Sequence, residues 1–461
     1  MQPPQAYRPE TAILSLGEAF YDPVAAADFP HTIPRFRNQR AAEAVGLGGL
    51  SDAEWLAHFG RFTPLEGSLI EPLALRYHGH QFRVYNPDIG DGRGFLFAQL
   101  RDERGRLLDL GTKGSGQTPY SRFGDGRLTL KGGVREVLAT EMLEALGVET
   151  SRTFSLIETG EALERGDEPS PTRSAVLVRL QHSHIRIGTF QRLSYFGEAE
   201  NMRRLVDYCL EYYFGEPGGD DAPGRLLAYV AKAAARLAAS YIAAGFVHGV
   251  LNSDNIAITA QSFDYGPWRW TPFWDAGFTA AYFDHAGLYA FGRQPEAIHW
   301  DVMQLAASLR AIAEPETLTP ALEAFPAAFQ TALTRAMLER MGVAPKGDDG
   351  PLLRAIETAL AARTVEIDRF FFDWRGGRRR GPSPADAAYD AEAFADFRLL
   401  IASYAASVSL DHRYWSGQPP CSMHIDEVEA IWARIDTADD WSAFDAKIAA
   451  VRAMGAAMGR R

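Results

Sequence analysis

The chain has 461 residues, 46% hydrophobic and 23% charged, a make-up that fits a folded globular protein and excludes a disordered one. Its 59 Asp and Glu against 47 Lys and Arg leave a net charge of −12, a field that repels polyphosphate backbones. That argues against nucleic acid as a partner, while a local basic pocket for a single nucleotide stays open.

Taken in chain order, the first 70 or so residues mix short helical patterns with Pro and Gly. Two strands follow, Gly94 to Leu100 and Leu107 to Lys113. The polar link RDERGR between them makes an antiparallel hairpin. Val134, Val137, Leu138, Met142 and Ala145 recur at helical spacing, so a helix is expected from Val134 to Leu146 with Gly147 as its stop. Two more strands are expected at Thr153 to Ile157 and Ala175 to Leu180. Leu226, Val230, Leu237 and Tyr241 then form an apolar stripe in an Ala-rich helix that Gly245 ends. From Ala297 onward the pattern is mostly helical, broken by RGGRRRGPSP (Arg375 to Pro384), which reads as a solvated turn.

Strands first and helices after predict an α+β fold, a small sheet-rich lobe leading into a larger helical lobe; the kinase-like loops and the resemblance described below imply that it is of protein-kinase type. The divisions expected are an extension packed on the core (1–75), the N-lobe with its nucleotide cradle (76–195), the helical C-lobe (196–365) and a divergent helical region (366–461).

Chemistry concentrates in two places. The first is a pair of glycine-rich runs, NPDIGDGRG (Asn86 to Gly94) and TKGSGQTPYSRFGDGR (Thr112 to Arg127), flanking the two hairpin strands. Glycine lets backbone N–H groups approach phosphate oxygens. Lys113 ends the second strand, and Glu136 lies 23 residues on, within the expected helix. A strand lysine held by a helix glutamate is the kinase device for gripping a nucleotide's phosphates.

The second is FVHGVLNSDNIAI (Phe246 to Ile258), where kinases carry H-R-D-x-x-x-x-N. His248 and Gly249 match a small-molecule-kinase version, Val250 stands in place of the catalytic Asp, and Asn255 sits five residues beyond. Asp264, in FDYGP, resembles the magnesium-binding Asp of Asp-Phe-Gly. A carboxylate and an amide oxygen suit Mg²⁺ or Mn²⁺. Valine takes no proton, so Asp254, beside Asn255, becomes the candidate base. His78 and His80 lack a third metal ligand and read as a satisfied core or surface pair.

The stretches YHGHQF, GDGRG, KGSGQTPYSRFGDGR, VREVLATEML, HIRIGTF, HGVLNSDN, FDYGP and FDHAGLYAFGRQP run in this order from Tyr77 to Pro295. Together they resemble the selenoprotein O family of protein adenylyltransferases. The resemblance implies a pseudokinase fold that binds ATP inverted and moves AMP to Ser, Thr or Tyr hydroxyls of proteins, releasing pyrophosphate. It implies nucleotide contacts at Gly90, Gly92, Arg93, Lys113, Asp125, Gly126, Arg179, Arg186 and Asp264. It also implies a proton acceptor at Asp254 and metal ligands at Asn255 and Asp264. Many family members end in a cysteine- or selenocysteine-containing redox motif; this chain ends AAMGRR. Two other readings stay open: a small-molecule phosphotransferase, and a nucleotide-binding scaffold without chemistry.

Cys209 and Cys421 make neither a disulfide framework nor a zinc site, so a reducing compartment is the default. The N-terminus MQPPQAYRPE lacks a basic-then-apolar signal pattern. No apolar run reaches the roughly 18 residues a bilayer span needs. The expectation is a cytoplasmic protein without a membrane partner. No motif speaks to oligomeric state.

Overall fold

The computed structural model describes residues 6–166, 168–417 and 419–460. Its centre is one antiparallel sheet. In chain order the strands are β1 (Pro9–Glu10), β2 (Tyr21–Pro23), β3 (Ile33–Arg37), β4 (Leu73–Leu75), a separate hairpin β5 (Gly79–Gln81) and β6 (Val84–Asn86), then β7 (Leu96–Arg101), β8 (Leu107–Lys113), β9 (Leu128–Thr129), β10 (Arg152–Leu163) and β11 (Thr172–Gln181). The sheet runs β2-β4-β7-β8-β11-β10-β3, with β1 on β7 and β9 on β11. The expected hairpin is β7–β8, with Gln99 opposite Asp109 and Leu100 opposite Leu108.

Both faces of this sheet are covered, which is why its strands read as nearly continuous apolar runs. Leu107 and Leu177 belong to the same apolar cluster as the long helix Leu130–Leu146. Leu108, Leu110, Val176 and Val178 face a layer built from residues 29–65, including Trp55 and Phe59. Period-two alternation therefore puts Lys113, Leu177 and Arg179 on one face, with Leu177 opposite Lys113 and Arg179 opposite Gly111. β1, β2 and β3 were not expected in the first 70 residues. They are two to five residues long, and their partners lie far along the chain.

The helix Leu130–Leu146 starts where Thr129 accepts a hydrogen bond from the Gly132 N–H and stops at Gly147, φ +82°. A Cβ at Gly133 would lie 2.4 Å from Leu156, so this glycine lets the helix press onto β10. The outer side of the helix is clamped by the C-terminal helix Ser442–Ala457. Arg452 makes a bidentate pair with the buried Glu141 at 2.7 and 2.8 Å. The Arg452→Ala substitution leaves that carboxylate with only Arg40, at 3.3 Å. An exposed pair contributes little, but this one has a buried member, and we expect a loss of about 2 kcal/mol, read as a lower urea midpoint at unchanged slope.

Past the sheet the chain is mostly helical, as expected. The Ala-rich helix Ala222–Ala244 ends at Gly245, φ +68°. It is long and apolar enough to cross a bilayer by length and composition, although Lys232 and Arg236 interrupt its apolar run, and 72% of its apolar window is buried inside the protein. Both cysteines are free thiols. The RGGRRRGPSP segment is an irregular loop, but it is not a solvated turn. Arg375 is buried, donates to the Glu339 and Arg340 carbonyls at 2.6 and 2.7 Å, and stacks on Trp415. Arg380 lies 4.1 Å from the Phe372 ring. Arg378 alone of the four arginines is exposed. Guanidinium planes cover aromatic rings and carbonyl ends while keeping a wet edge, which charge counting along a sequence does not register.

Candidate active site

Below the sheet, a cavity of about 830 Å³ opens between the glycine-rich runs and the segment 250–267. Gly90, Gly92, Arg93, Lys113, Asp125, Gly126, Arg179, Arg186, Asp254, Asn255 and Asp264 all line it. Glu136 stands behind the wall, bonded to the Lys113 ammonium, and both side chains are buried.

Asp264 is the hub. Its Oδ1 lies 2.9 Å from Arg179 Nη1 and 3.3 Å from Lys113 Nζ, and its Oδ2 accepts from Arg186 Nη1 at 3.1 Å. Burial pushes this carboxyl up, but Arg179, Lys113 and Arg186 overrule it and hold the group well below the usual carboxylate range. Its backbone is left-handed, φ +62°, a conformation that costs a non-glycine residue free energy and tends to occur at working sites. The buried His248 fixes this turn. Its Nε2 is 2.9 Å from the Phe263 carbonyl, which only accepts, so Nε2 carries the proton.

Arg186 ties the walls together. It also donates to the Asp254 carbonyl at 2.9 Å and to Asp91 Oδ1 at 3.2 Å, and its guanidinium stacks on Tyr77 and Phe263. Asp254 itself is nearly fully buried, and its Oδ1 has no hydrogen-bond partner among the described residues. Burial lifts its carboxyl to about 6 even though Arg186 pulls the other way. Asn255 spends its Nδ2 on the Val250 carbonyl at 3.1 Å, which leaves Oδ1, the atom a hard cation takes, uncommitted.

A family profile described as protein adenylyltransferase SelO matches residues 5–452. The chain belongs to the SelO family. Proteins similar to it include "Protein nucleotidyltransferase YdiU" of Gloeobacter violaceus, 44% identical over 94% of this chain and 93% of that one. The protein of the same name from Synechococcus elongatus is 50% identical over 72% of this chain and 68% of that one. Among solved structures, ROP2 from Toxoplasma gondii, titled a virulence factor with a protein-kinase fold and no enzymatic activity, is similar at 13% identity and a TM-score of 0.29. It covers 68% of this chain and 91% of that one, and at that score it carries no weight. The kinase-like character is carried by the chain itself: an antiparallel sheet, a strand lysine bonded to a helix glutamate, and a helical region that supplies the altered catalytic loop. Family membership makes this chain a nucleotidyltransferase, with ATP and proteins as its substrates.

In this SelO-family protein the glycine runs do more than clear space for phosphates. A Cβ at Gly90 would sit 2.5 Å from the Tyr120 ring, so the first run is pressed against the second. Gly126 has φ +71°, and a Cβ there would meet the Gly116 backbone at 2.3 Å. Asp125 is exposed at the rim and pairs with Arg165 at 2.8 Å. Arg93 is also exposed; its carbonyl accepts from the Gly114 N–H at 2.6 Å, which leaves the guanidinium at the cavity rim. Asp91 was missed: it sits inside GDGRG as a buried partner of Arg186 and of the Leu75 N–H. Only its place between two glycines hinted at it. The two histidines are satisfied singly, His78 by Tyr85 and His80 by Gln191. No group of three or more metal-ligating side chains occurs among the described residues.

Proposed function

We propose that this chain transfers AMP from ATP to Ser, Thr or Tyr hydroxyls of other proteins, with Asp254 as the proton acceptor. The observation that carries the reading is the Asp254 carboxyl, nearly fully buried on the cavity wall with its Oδ1 unpartnered among the described residues, where Val250 has removed the usual kinase base.

The triphosphate lies against Lys113, Arg179 and Arg186, whose donors already converge on one carboxylate in the free protein. Arginine forks and a lysine point charge offset the charge that builds on the α-phosphate and on the departing group. The acceptor hydroxyl oxygen bonds to the α-phosphorus. The bond from that phosphorus to the bridging oxygen breaks, and pyrophosphate leaves with the electron pair. The Asp254 carboxylate takes the hydroxyl proton. Asp264 and Asn255 would hold a Mg²⁺ or Mn²⁺ ion. The donor set fits: two hard oxygens, the rest of the shell coming from phosphates and water. Such an ion supplies further charge neutralisation on the phosphate oxygens. Lys113 and Glu136 keep the grip in place.

ATP labelled at the α-phosphate or at the γ-phosphate separates the readings. Label from the α-position on protein, with pyrophosphate released, is the expected result. Label from the γ-position on any acceptor would make the chain a phosphotransferase. Label on nothing, with ATP still bound, would make it a scaffold. The reaction is set in the cytoplasm, in line with the two free thiols.

A further inference from the structure

The β5–β6 hairpin is bolted to the candidate base. The His80 N–H donates to Ser253 Oγ at 2.8 Å and the Phe82 N–H to Asn252 Oδ1 at 2.9 Å. Gly79 is so close to Asp254 that a Cβ there would lie 2.8 Å from Oδ1. The hairpin closes through Phe82 and Arg83, both left-handed at φ +50° and +63°. Tight turns of this kind favour Asn-Gly. A bulky pair held in that conformation points to a use for the side chains themselves.

Those side chains start a continuous aromatic surface. Phe82 packs on Tyr289 at 5.0 Å and on Phe283 at 5.7 Å, and Phe283 packs on Tyr282 at 5.1 Å. On the other side, Arg83 covers Trp300 at 5.4 Å, one helical turn from Met303. Tyr282 is 80% exposed, Val84 69%, Phe283 42% and Met303 37%. Isolated exposed apolar residues need no explanation, but a contiguous set beside a reactive carboxylate does. The charged groups at its edge are engaged, Arg83 and Arg293 sharing the single carboxylate of Glu296. Arg83 is paired with Glu296 at 3.0 Å, and buried Asp284 is spent on the Leu288 and Tyr289 N–H groups.

We propose that this belt seats an apolar side chain of the protein acceptor, a few residues from the hydroxyl that is delivered to Asp254. The inference rests on the adenylyltransferase reading and adds a substrate preference to it. An apolar occupant follows from an aromatic floor that is continuous with the site through the hairpin's bonds to residues 252 and 253.

The test uses the full chain, Mg²⁺ or Mn²⁺, α-labelled ATP and synthetic peptides. Each peptide has one Thr or Tyr acceptor, with Leu, Phe, Ser, Asp or Lys scanned through the four positions on either side. Leu or Phe at a fixed position should raise incorporation tenfold or more over Ser, Asp or Lys there. The Tyr282→Ser, Phe283→Ser double variant should flatten that preference through the peptide KM, leaving the KM for ATP and the thermal midpoint in place. Tyr282→Ser alone, at a solvent-facing ring, should flatten it part-way. Transfer with no apolar position, or a preference that the variants leave intact, overturns the docking inference alone. No α-label on any peptide or on the chain itself overturns the adenylyltransferase reading as well.

Discussion

The Asp254→Ala variant should lose AMP transfer by about 10²- to 10⁴-fold, the range a positioned general base contributes, while still binding ATP. Two features of Asp254 make the split clean. What holds its neighbours is the backbone carbonyl, which accepts from Arg186 at 2.9 Å and survives any side-chain change. The carboxylate Oδ1, by contrast, has no hydrogen-bond partner among the described residues, so its removal leaves no buried donor stranded. Asp254→Asn is the sharper companion, since it keeps the volume beside Gly79 and removes only the proton-accepting oxygen. Labelled-AMP incorporation and ATP titration, run on both variants, check the claim. A variant with the native transfer rate would remove Asp254 as base. One that lost ATP binding as well would assign it to the nucleotide instead.

Why Asp254 was visible in the sequence, and Asp91 was not, is a matter of range. The catalytic-loop residues lie within 17 positions of one another, from His248 to Asp264, so spacing alone aligns them with a kinase pattern. The Lys113–Glu136 pair was legible for a similar reason: a strand end and a helix face, joined by one connection, fix both side chains. The helix stops at Gly147 and Gly245 were local too, because a left-handed cap is a one-residue property. Arg179 and Arg186 follow no local spacing rule. Only the resemblance singled them out, and only the fold buries them against Tyr77 and Phe263. β3 was hidden because it carries a proline and pairs with a strand more than 100 residues away. Arg375 misled by its company: three more arginines and three glycines look like a wet loop until Trp415 arrives from 40 residues on.

Asp264→Ala should separate the two charges this residue balances. In the free protein it is the shared counter-ion of Lys113, Arg179 and Arg186, and the arginines are buried. Removing one partner of a buried ion cluster leaves uncompensated charge, commonly at a loss of about 3–5 kcal/mol. A drop in thermal midpoint without ligand is therefore expected. The three cations, freed of their carboxylate, should still accept the triphosphate of metal-free ATP, so ATP with a chelator should restore much of the lost midpoint through binding to the folded state. What should vanish is the metal-dependent part. Adding Mg²⁺ or Mn²⁺ should no longer tighten ATP binding, and transfer should fall to background, because Asn255 alone offers a single neutral oxygen. Asp264→Asn keeps the shape and removes the charge, and should behave alike. If either variant keeps a metal-dependent gain in ATP affinity, the ion is held elsewhere. If metal-free ATP fails to rescue the midpoint, the lysine and the two arginines do not form the phosphate grip.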